Sequence, residues 1–197
     1  MDKEKILPWI KLKDIADISS GLVLSRLKSA KSVDTNIDKK YYYIPQKALS
    51  YNYLDDSKFE PLFLDEIIEK RYLARCKDII MKLTPPYDAA IIDFQREDVL
   101  IPSNFAIIRT KNDFISVFLY YILNGNNVRK QIKRLVEGSN IPVIKINHLR
   151  DIQIKNVNRY KQIKYSQLFN LLDYRSELLD RKREIEETLK NDILSKL

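Results

Sequence analysis

The chain has little of what several common chemistries require. Cysteine occurs once, at Cys76, and histidine once, at His148. A lone thiol closes no internal disulfide, and one Cys with one His falls short of the four ligands of a structural zinc site. Neither a metal nor a disulfide is expected to hold the fold. Glycine occurs three times, at Gly21, Gly125 and Gly138. That is too few for a phosphate-cradling loop or a dinucleotide fingerprint, so nucleotide-dependent enzymes are disfavoured and no cofactor is expected. The longest apolar stretches, such as residues 118–123 and 79–83 with Lys82 inside it, fall far short of the roughly 20 residues that span a bilayer, so no membrane partner is expected. The N-terminus, Met1-Asp2-Lys3-Glu4-Lys5-Ile6 before Pro8-Trp9, mixes charges where a secretory signal would be apolar. A cytoplasmic protein is expected.

With 197 residues, 45% of them hydrophobic, the chain can bury one substantial core and carry one appended element. Its net charge is +8, which points to a polyanionic partner, and the placement of that charge sharpens the point. Residues 1–125 hold 19 basic and 18 acidic side chains, residues 126–157 hold 7 and 2, and residues 158–197 hold 9 and 7. The middle stretch therefore supplies most of the excess.

Residues 9–21 open with a short alternating stretch and then place Leu12, Ile15, Ala16 and Ser19 on one helical face, which predicts a strand, a helical turn or two, and a stop near Gly21. Residues 25–40 are polar and lack periodicity, as an exposed loop does. Tyr41-Tyr42-Tyr43-Ile44 predicts a strand ending at Pro45, with a helical turn after it. Short strands are expected at 71–74, 78–83, 89–93, 99–101 and 104–109, parted by Pro85-Pro86 and Pro102-Ser103-Asn104. Residues 113–124 predict a buried helix capped by Asn112 or Asp113. A second helix follows at 126–137, with Val128, Ile132, Leu135 and Val136 on one face and Arg129, Lys130, Lys133 and Arg134 elsewhere. Strands are expected at 143–146 and 152–155 around a turn at 147–150.

Beyond Val157 there is no Gly and no Pro, and Leu168, Leu171, Leu172, Leu178, Leu179, Ile185, Leu189 and Ile193 recur among charges. A single helix over 158–197 would be about 60 Å long, more than residues 1–157 can cover. Its apolar seam calls for a partner helix, and Arg175 and Lys182 interrupt one seam position, which favours a short or wide bundle. The expected architecture is α/β (α+β): a small mixed-sheet domain over 1–157 and a helical dimerisation or spacer region over 158–197.

The order of these features resembles the specificity subunits of type I restriction-modification systems. Residues 9–21 look like the family's opening strand, turn and glycine-bearing loop, with Lys13 in a position usually held by glycine. Lys77-Asp78-Ile79-Ile80-Met81 looks like its second such strand, again with a lysine for glycine. The better match is Ile101-Pro102-Ser103-Asn104-Phe105-Ala106-Ile107-Ile108-Arg109, then 118–124, 128–132 and Glu137-Gly138-Ser139-Asn140-Ile141, through Ile144 and Leu149 to Asp151-Ile152-Gln153-Ile154, which resembles the end of a target-recognition domain. The family usually joins its last strand to its helix through a proline-rich link. Here Ile154-Lys155-Asn156-Val157-Asn158 stands in that place, which leaves the angle of the helix open.

Members of that family usually carry two recognition domains and two helical spacers, and this chain has one of each. The resemblance implies a half-length, non-catalytic subunit that binds double-stranded DNA and pairs with a second copy through antiparallel helices. It also implies docking of methyltransferase subunits and, through them, an endonuclease subunit. A stand-alone DNA-binding regulator or restriction antagonist of the same fold is the alternative, and a piece of a larger fused restriction-methylation enzyme is a third reading. The ordered start at Met1 and the helical end favour an intact small protein.

The residues expected to meet DNA are Ser25, Arg26, Lys28 and Lys31; Gln46 and Lys47; Arg129 and Lys133; and Ser139, Asn140, Lys145 and Asn147. Arg, Lys, Asn and Gln match base edges, while Ser and backbone amides fix phosphates. A solvated helix face is the plain alternative for Arg129 and Lys133. Tyr41, Tyr42 and Tyr43 are candidates for stacking on bases, although alternation in a strand sends at least one of them inward. Thr84-Pro85-Pro86-Tyr87 is similar to the adenine aminomethyltransferase motif, but a turn between strands explains it better in a chain without a site for the methyl donor. Asp180-Arg181-Lys182 reads as an ion-paired helix face rather than a nuclease, His148 as a turn or DNA-contact histidine rather than a general base, and Cys76 as a packing residue.

Overall fold

The computed structural model describes residues 9–27, 39–51, 53–64, 66–111, 114–138, 140 and 142–196. In chain order the elements are β1 (Trp9–Lys11), α1 (Leu12–Ile15), β2 (Ala16–Ser20), β3 (Lys39–Tyr43), β4 (Leu49–Ser50), β5 (Tyr53–Leu54), β6 (Glu60–Leu64), β7 (Ile79–Lys82), β8 (Ala89–Ile91), β9 (Val99–Leu100), β10 (Phe105–Thr110), α2 (Ser116–Asn124), α3 (Asn126–Val136), α4 (Ile146–Arg150), β11 (Gln153–Lys155) and α5 (Arg159–Leu194). This is the mixed α/β domain with a long C-terminal helix that the sequence implies.

A four-stranded antiparallel sheet, β2-β10-β7-β8, forms the middle layer. Both faces of its middle strands are buried, which is why β7 and the first four residues of β10 read as nearly continuous apolar runs, whereas the edge strand β2 alternates. Ile79, Met81, Ala106 and Ile108 face a core shared with Leu12, Phe118, Leu119, Val128, Ile132 and Leu149 of the helices. Ile80, Ala90, Phe105 and Ile107 face the opposite way, onto Ile44, Ala48, Leu49, Phe59, Val99 and Ile101. A second sheet, β6-β3-β9, pairs β3 parallel to β9 and covers a smaller cluster of Tyr41, Leu64, Ile68 and Leu100.

Several local expectations differ from the structure. The helical turn after β1 stops at Ile15, and residues 16–20 form β2, because Ala16 and Ile18 point into the core while Asp17 is exposed, which suits a strand on the edge of β10. Residues 70–72 form a 3-10 turn rather than a strand, with one isolated bridge from Leu73 to Leu100. The hairpin expected over 143–155 is absent: residues 146–150 are helical, and β11 pairs with β1 at the other end of the chain. That pairing satisfies β11 through a partner far away in sequence, which local propensity does not register. Helix α2 begins at Ser116, and the caps expected at Asn112 and Asp113 lie outside the described residues. The Ile115 amide at the start of α2 instead donates to the Gln162 side chain of α5 at 2.9 Å.

The angle at which α5 leaves the domain follows from these contacts. Asn158 caps it, its side chain accepting from the Lys161 backbone amide at 2.9 Å, and the Gln162 side-chain Nε2 donates back to the Val157 carbonyl at 2.7 Å. Gln162 is only 2% exposed. One glutamine thus ties β11, α2 and α5 together in place of a proline-rich link. Further along, Tyr165 stacks beside Phe118, Phe169 lies against Tyr121, and the Tyr121 hydroxyl donates to Asn170 and Asp173. The order of these contacts shows that α5 runs in the same direction as α2. From Asn170 to Lys196 every residue is exposed, so roughly the last 30 Å of α5 stands clear of the domain. No described helix is long and apolar enough to cross a membrane.

Candidate nucleic-acid interface

The registers of the central sheet bring separate loops to one end. Ser20 at the end of β2 pairs with Ala106 at the start of β10, Lys82 at the end of β7 pairs with Phe105, and Ala89 at the start of β8 pairs with Met81. The segments 21–27, 83–88 and 102–104 therefore meet there. The first and third are locked to each other: Leu22 donates to the Ile101 carbonyl at 2.8 Å and Ser103 to the Leu22 carbonyl at 2.8 Å. A Cβ on Gly21 would lie 2.2 Å from the Pro102 carbonyl oxygen, so glycine is required at this crossing. Ser25 and Arg26 sit on the 3-10 turn that follows.

Thr84-Pro85-Pro86-Tyr87 is the turn of the β7–β8 hairpin, as expected, with a cis Pro85–Pro86 bond and Tyr87 at φ 60°. The Tyr87 hydroxyl donates to the Pro142 carbonyl at 2.7 Å, and Ile144 donates to the Leu83 carbonyl at 2.9 Å. These bonds hold the 142–145 segment at the same end, with exposed Lys145 and Asn147 at the start of α4. Asn147 accepts from Arg150, whose other nitrogen reaches the Ile18 carbonyl at 2.7 Å. Because β3 runs parallel to β9 and β9 leads straight into Pro102, Gln46 and Lys47 also emerge toward this end.

The sequence-predicted residues divide by what their side chains already do. Lys47 pairs with Glu60 at 2.6 Å but remains well exposed, and Glu60 also accepts from Tyr43. These two partners, Lys47 foremost, hold the Glu60 carboxyl below the usual carboxylate range. Lys133 is exposed on α3 beside Lys130 and Arg134. Asn140 is exposed after Gly138, whose φ of 79° ends the helix. Arg129 differs: its guanidinium donates to the Asp88 carboxylate at 3.0 Å, the Pro86 carbonyl at 2.7 Å and the Asn124 carbonyl at 3.1 Å. It braces the 84–88 turn against the α2–α3 junction, and so belongs to the scaffold of this end rather than its surface. Lys28, Lys31 and Ser139 lie outside the described residues.

The tyrosine run is accounted for within the fold. Tyr41 is buried, Tyr42 lies between Lys40 and Arg96, and Tyr43 bonds Glu60. Tyr51 and Tyr53, on the β4–β5 hairpin, are among the exposed aromatics instead. Tyr51 has φ 53° and lines a polar cleft of about 500 Å³ with Ser50, Pro86, Asp88, Asn124, Asn126 and Arg129. Sequence reasoning missed this hairpin because its strands are two residues each; the signal available was an asparagine between two tyrosines.

Among the described residues no group of three His, Cys, Asp or Glu side chains is placed to hold a metal ion. His148 lies in α4 rather than a turn, and Cys76 is exposed rather than packed. Asp180 pairs with Arg183 and Lys182 with Glu186 along α5, as an ion-paired helix face does. Leu168, Leu171, Leu172, Leu178, Leu179, Ile185, Leu189 and Ile193 are all exposed.

The domain and helix together match a chain from a structure that concerns complex assembly and conformational transition of the type I restriction-modification (R-M) system. The TM-score is 0.64 at 14% identity, over 97% of this chain and 44% of that one. The chain has the fold of a type I specificity subunit. The HsdS subunit of Thermoanaerobacter tengcongensis matches with a TM-score of 0.59 at 12% identity, over 92% of this chain and 40% of that one. The S subunit of the type I system of M. genitalium matches at 0.53 and 17%, over 91% and 42%. The chain thus spans less than half the length of each of these three chains. No protein-family model and no curated protein sequence matches it.

Proposed function

We propose that this chain is a half-length, non-catalytic specificity subunit of a type I restriction-modification system. One observation carries the reading: 97% of the chain fits onto 44% of a type I R-M chain, one domain and one long helix together. Residues 1–157 read DNA, and residues 158–197 pair with the helix of a second copy and hold methyltransferase subunits, with an endonuclease subunit reached through them. Two identical domains related by a twofold axis read an inverted, bipartite target. The loops gathered at one end of the central sheet supply contacts from Arg26, Gln46, Lys47, Lys145 and Asn147, and α3 and the segment after it add Lys133 and Asn140. The exposed apolar seam of α5, from Leu168 to Ile193, supports the pairing. The subunit acts in the cytoplasm.

The test is co-purification with the methyltransferase of the same system, followed by mapping of methylated sites. The expected result is one inverted-repeat motif, with site choice relaxed by Arg26→Ala or Asn140→Ala and affinity lowered evenly by Lys145→Ala. A protein that binds duplex DNA but neither joins a methyltransferase nor alters methylation would overturn the reading in favour of a stand-alone regulator.

A further inference from the structure

The polar cleft of about 500 Å³ beside the β7–β8 turn lies over the outer edge of the central sheet. β8 is the last strand there, and the Asn124 side chain covers its edge by bonding both the amide and the carbonyl of Ala89 at 3.0 Å. The α2–α3 junction reaches the cleft from one face of the sheet and the β4–β5 hairpin from the other. Its volume is within the roughly 300–1,000 Å³ of small-ligand sites.

Two members of the lining are not explained by the fold. Tyr51 is the first residue of a two-residue hairpin loop between Ser50 and Tyr53. Such a loop demands a positive φ, here 53°, and Asn, Asp or Gly suit it better. A tyrosine there works against the turn, and it is 75% exposed. Asp88 is only 4% exposed, and its Oδ1 accepts from Arg129 at 3.0 Å, while its Oδ2 accepts no hydrogen bond among the described residues. A buried carboxylate oxygen without a donor is costly, and a ligand N–H removes that cost.

A flat ring bearing an amino group answers both. Tyr51 and Pro86 offer the aromatic and apolar surfaces on which an unstacked base lies. A carboxylate oxygen accepts from the exocyclic amine of a base, as of cytosine. Exposed Asn126, on the same lining, carries a donor and an acceptor for the rest of the base edge. The 84–88 turn stands at the end of the central sheet where Arg26, Lys47 and Lys145 gather, so DNA held there lies beside the cleft.

We infer that this cleft receives one unstacked, amino-bearing nucleobase of the bound DNA, with Tyr51 stacking on it and Asp88 accepting from its amine. The cleft's role depends on the DNA binding proposed above and adds a base read outside the duplex grooves.

Fluorescence anisotropy with three labelled duplexes tests this. One is fully paired, one carries a single unpaired purine, and one a single unpaired adenine, which is the same ring with an amino group. The unpaired purine is expected to bind about ten-fold more tightly than the paired duplex through stacking, and the unpaired adenine a further ten-fold or about that through its amine. Tyr51→Asn should abolish the first difference while raising the thermal midpoint of the free protein, since asparagine suits the turn. Asp88→Asn should abolish the second, because an amide nitrogen then faces the amine. Differences confined to the duplexes assign the base to the target duplex, and the same differences in single-stranded oligonucleotides assign it to a displaced strand. Equal affinity for all three duplexes would overturn the cleft as a base site and leave DNA binding standing. A chain that binds none of them would overturn the DNA reading, and the base site with it.

Discussion

Replacing Arg129 by methionine separates a scaffold role from a phosphate-contact role. The Asp88 carboxylate it meets is 5% exposed, against 31% for the arginine side chain, and the same guanidinium satisfies two backbone carbonyls. Removing the cation leaves a buried carboxylate without its counterion, a change that costs about 3–5 kcal/mol. Water reaching the exposed part of the site argues for the lower end, about 3 kcal/mol, which lowers Tm by about 6–12 °C in a chain of this size. The assay is urea and thermal denaturation followed by circular dichroism, beside Lys133→Met as the surface control. The control should change stability by less than about 0.5 kcal/mol while reducing the salt dependence of binding to a random-sequence duplex by about one charge. Adding Asp88→Leu to Arg129→Met should restore much of the loss, because the stranded charge goes with it. An Arg129→Met protein with an unchanged midpoint and a shallower salt dependence would refute the scaffold assignment.

Other sites give separate outcomes. Gly21→Ala places a Cβ 2.2 Å from the Pro102 carbonyl oxygen, and a loss of about 1–3 kcal/mol is expected in the same denaturation assay. Gln162→Leu keeps the volume but leaves the Ile115 amide and Val157 carbonyl without their partner; a loss of about 2–4 kcal/mol is expected, with hydrogen exchange rising at the start of α2 and α5. Acid titration should follow the depressed carboxyls: Glu60 beside Lys47, Asp98 beside Arg96, and Asp151 beside Lys11. Each has a lower pKa folded than unfolded, so its contribution is complete above the ordinary carboxylate range and is lost as pH falls through that range and below it. Lys47→Met should bring the Glu60 titration, read by NMR, upward toward its ordinary value; no movement would show that the pair does not persist in solution.

Periodicity made the long elements legible. Helices α2, α3 and α5 and strands β7 and β10 lie close to where spacing places them, since each carries several turns or a run of apolar residues. Illegible were elements whose hydrogen-bond partners lie far off in sequence. β11 exists through β1, 140 or more residues away, as the Lys11–Asp151 contact beside it also shows. β4 and β5 are too short to have a period. For the candidate interface, residue type identified Lys133, Asn140, Lys145 and Asn147 as polar and unburied, but it could not separate Arg129 from them. An arginine in a basic helix looks the same whether it faces a phosphate or a buried aspartate.

By itself the sequence determined the class of the fold: short strands mixed with helices, a basic middle stretch, and a helical seam too long for the domain to cover. Those follow from composition and period, which are properties of the chain before it folds. Tertiary structure alone decided which loops share one end of the sheet, which cations are already paired, and the direction of α5, through Gln162 and the Tyr121 contacts. Such facts depend on strand register and on contacts between residues far apart in sequence, and only packing fixes either.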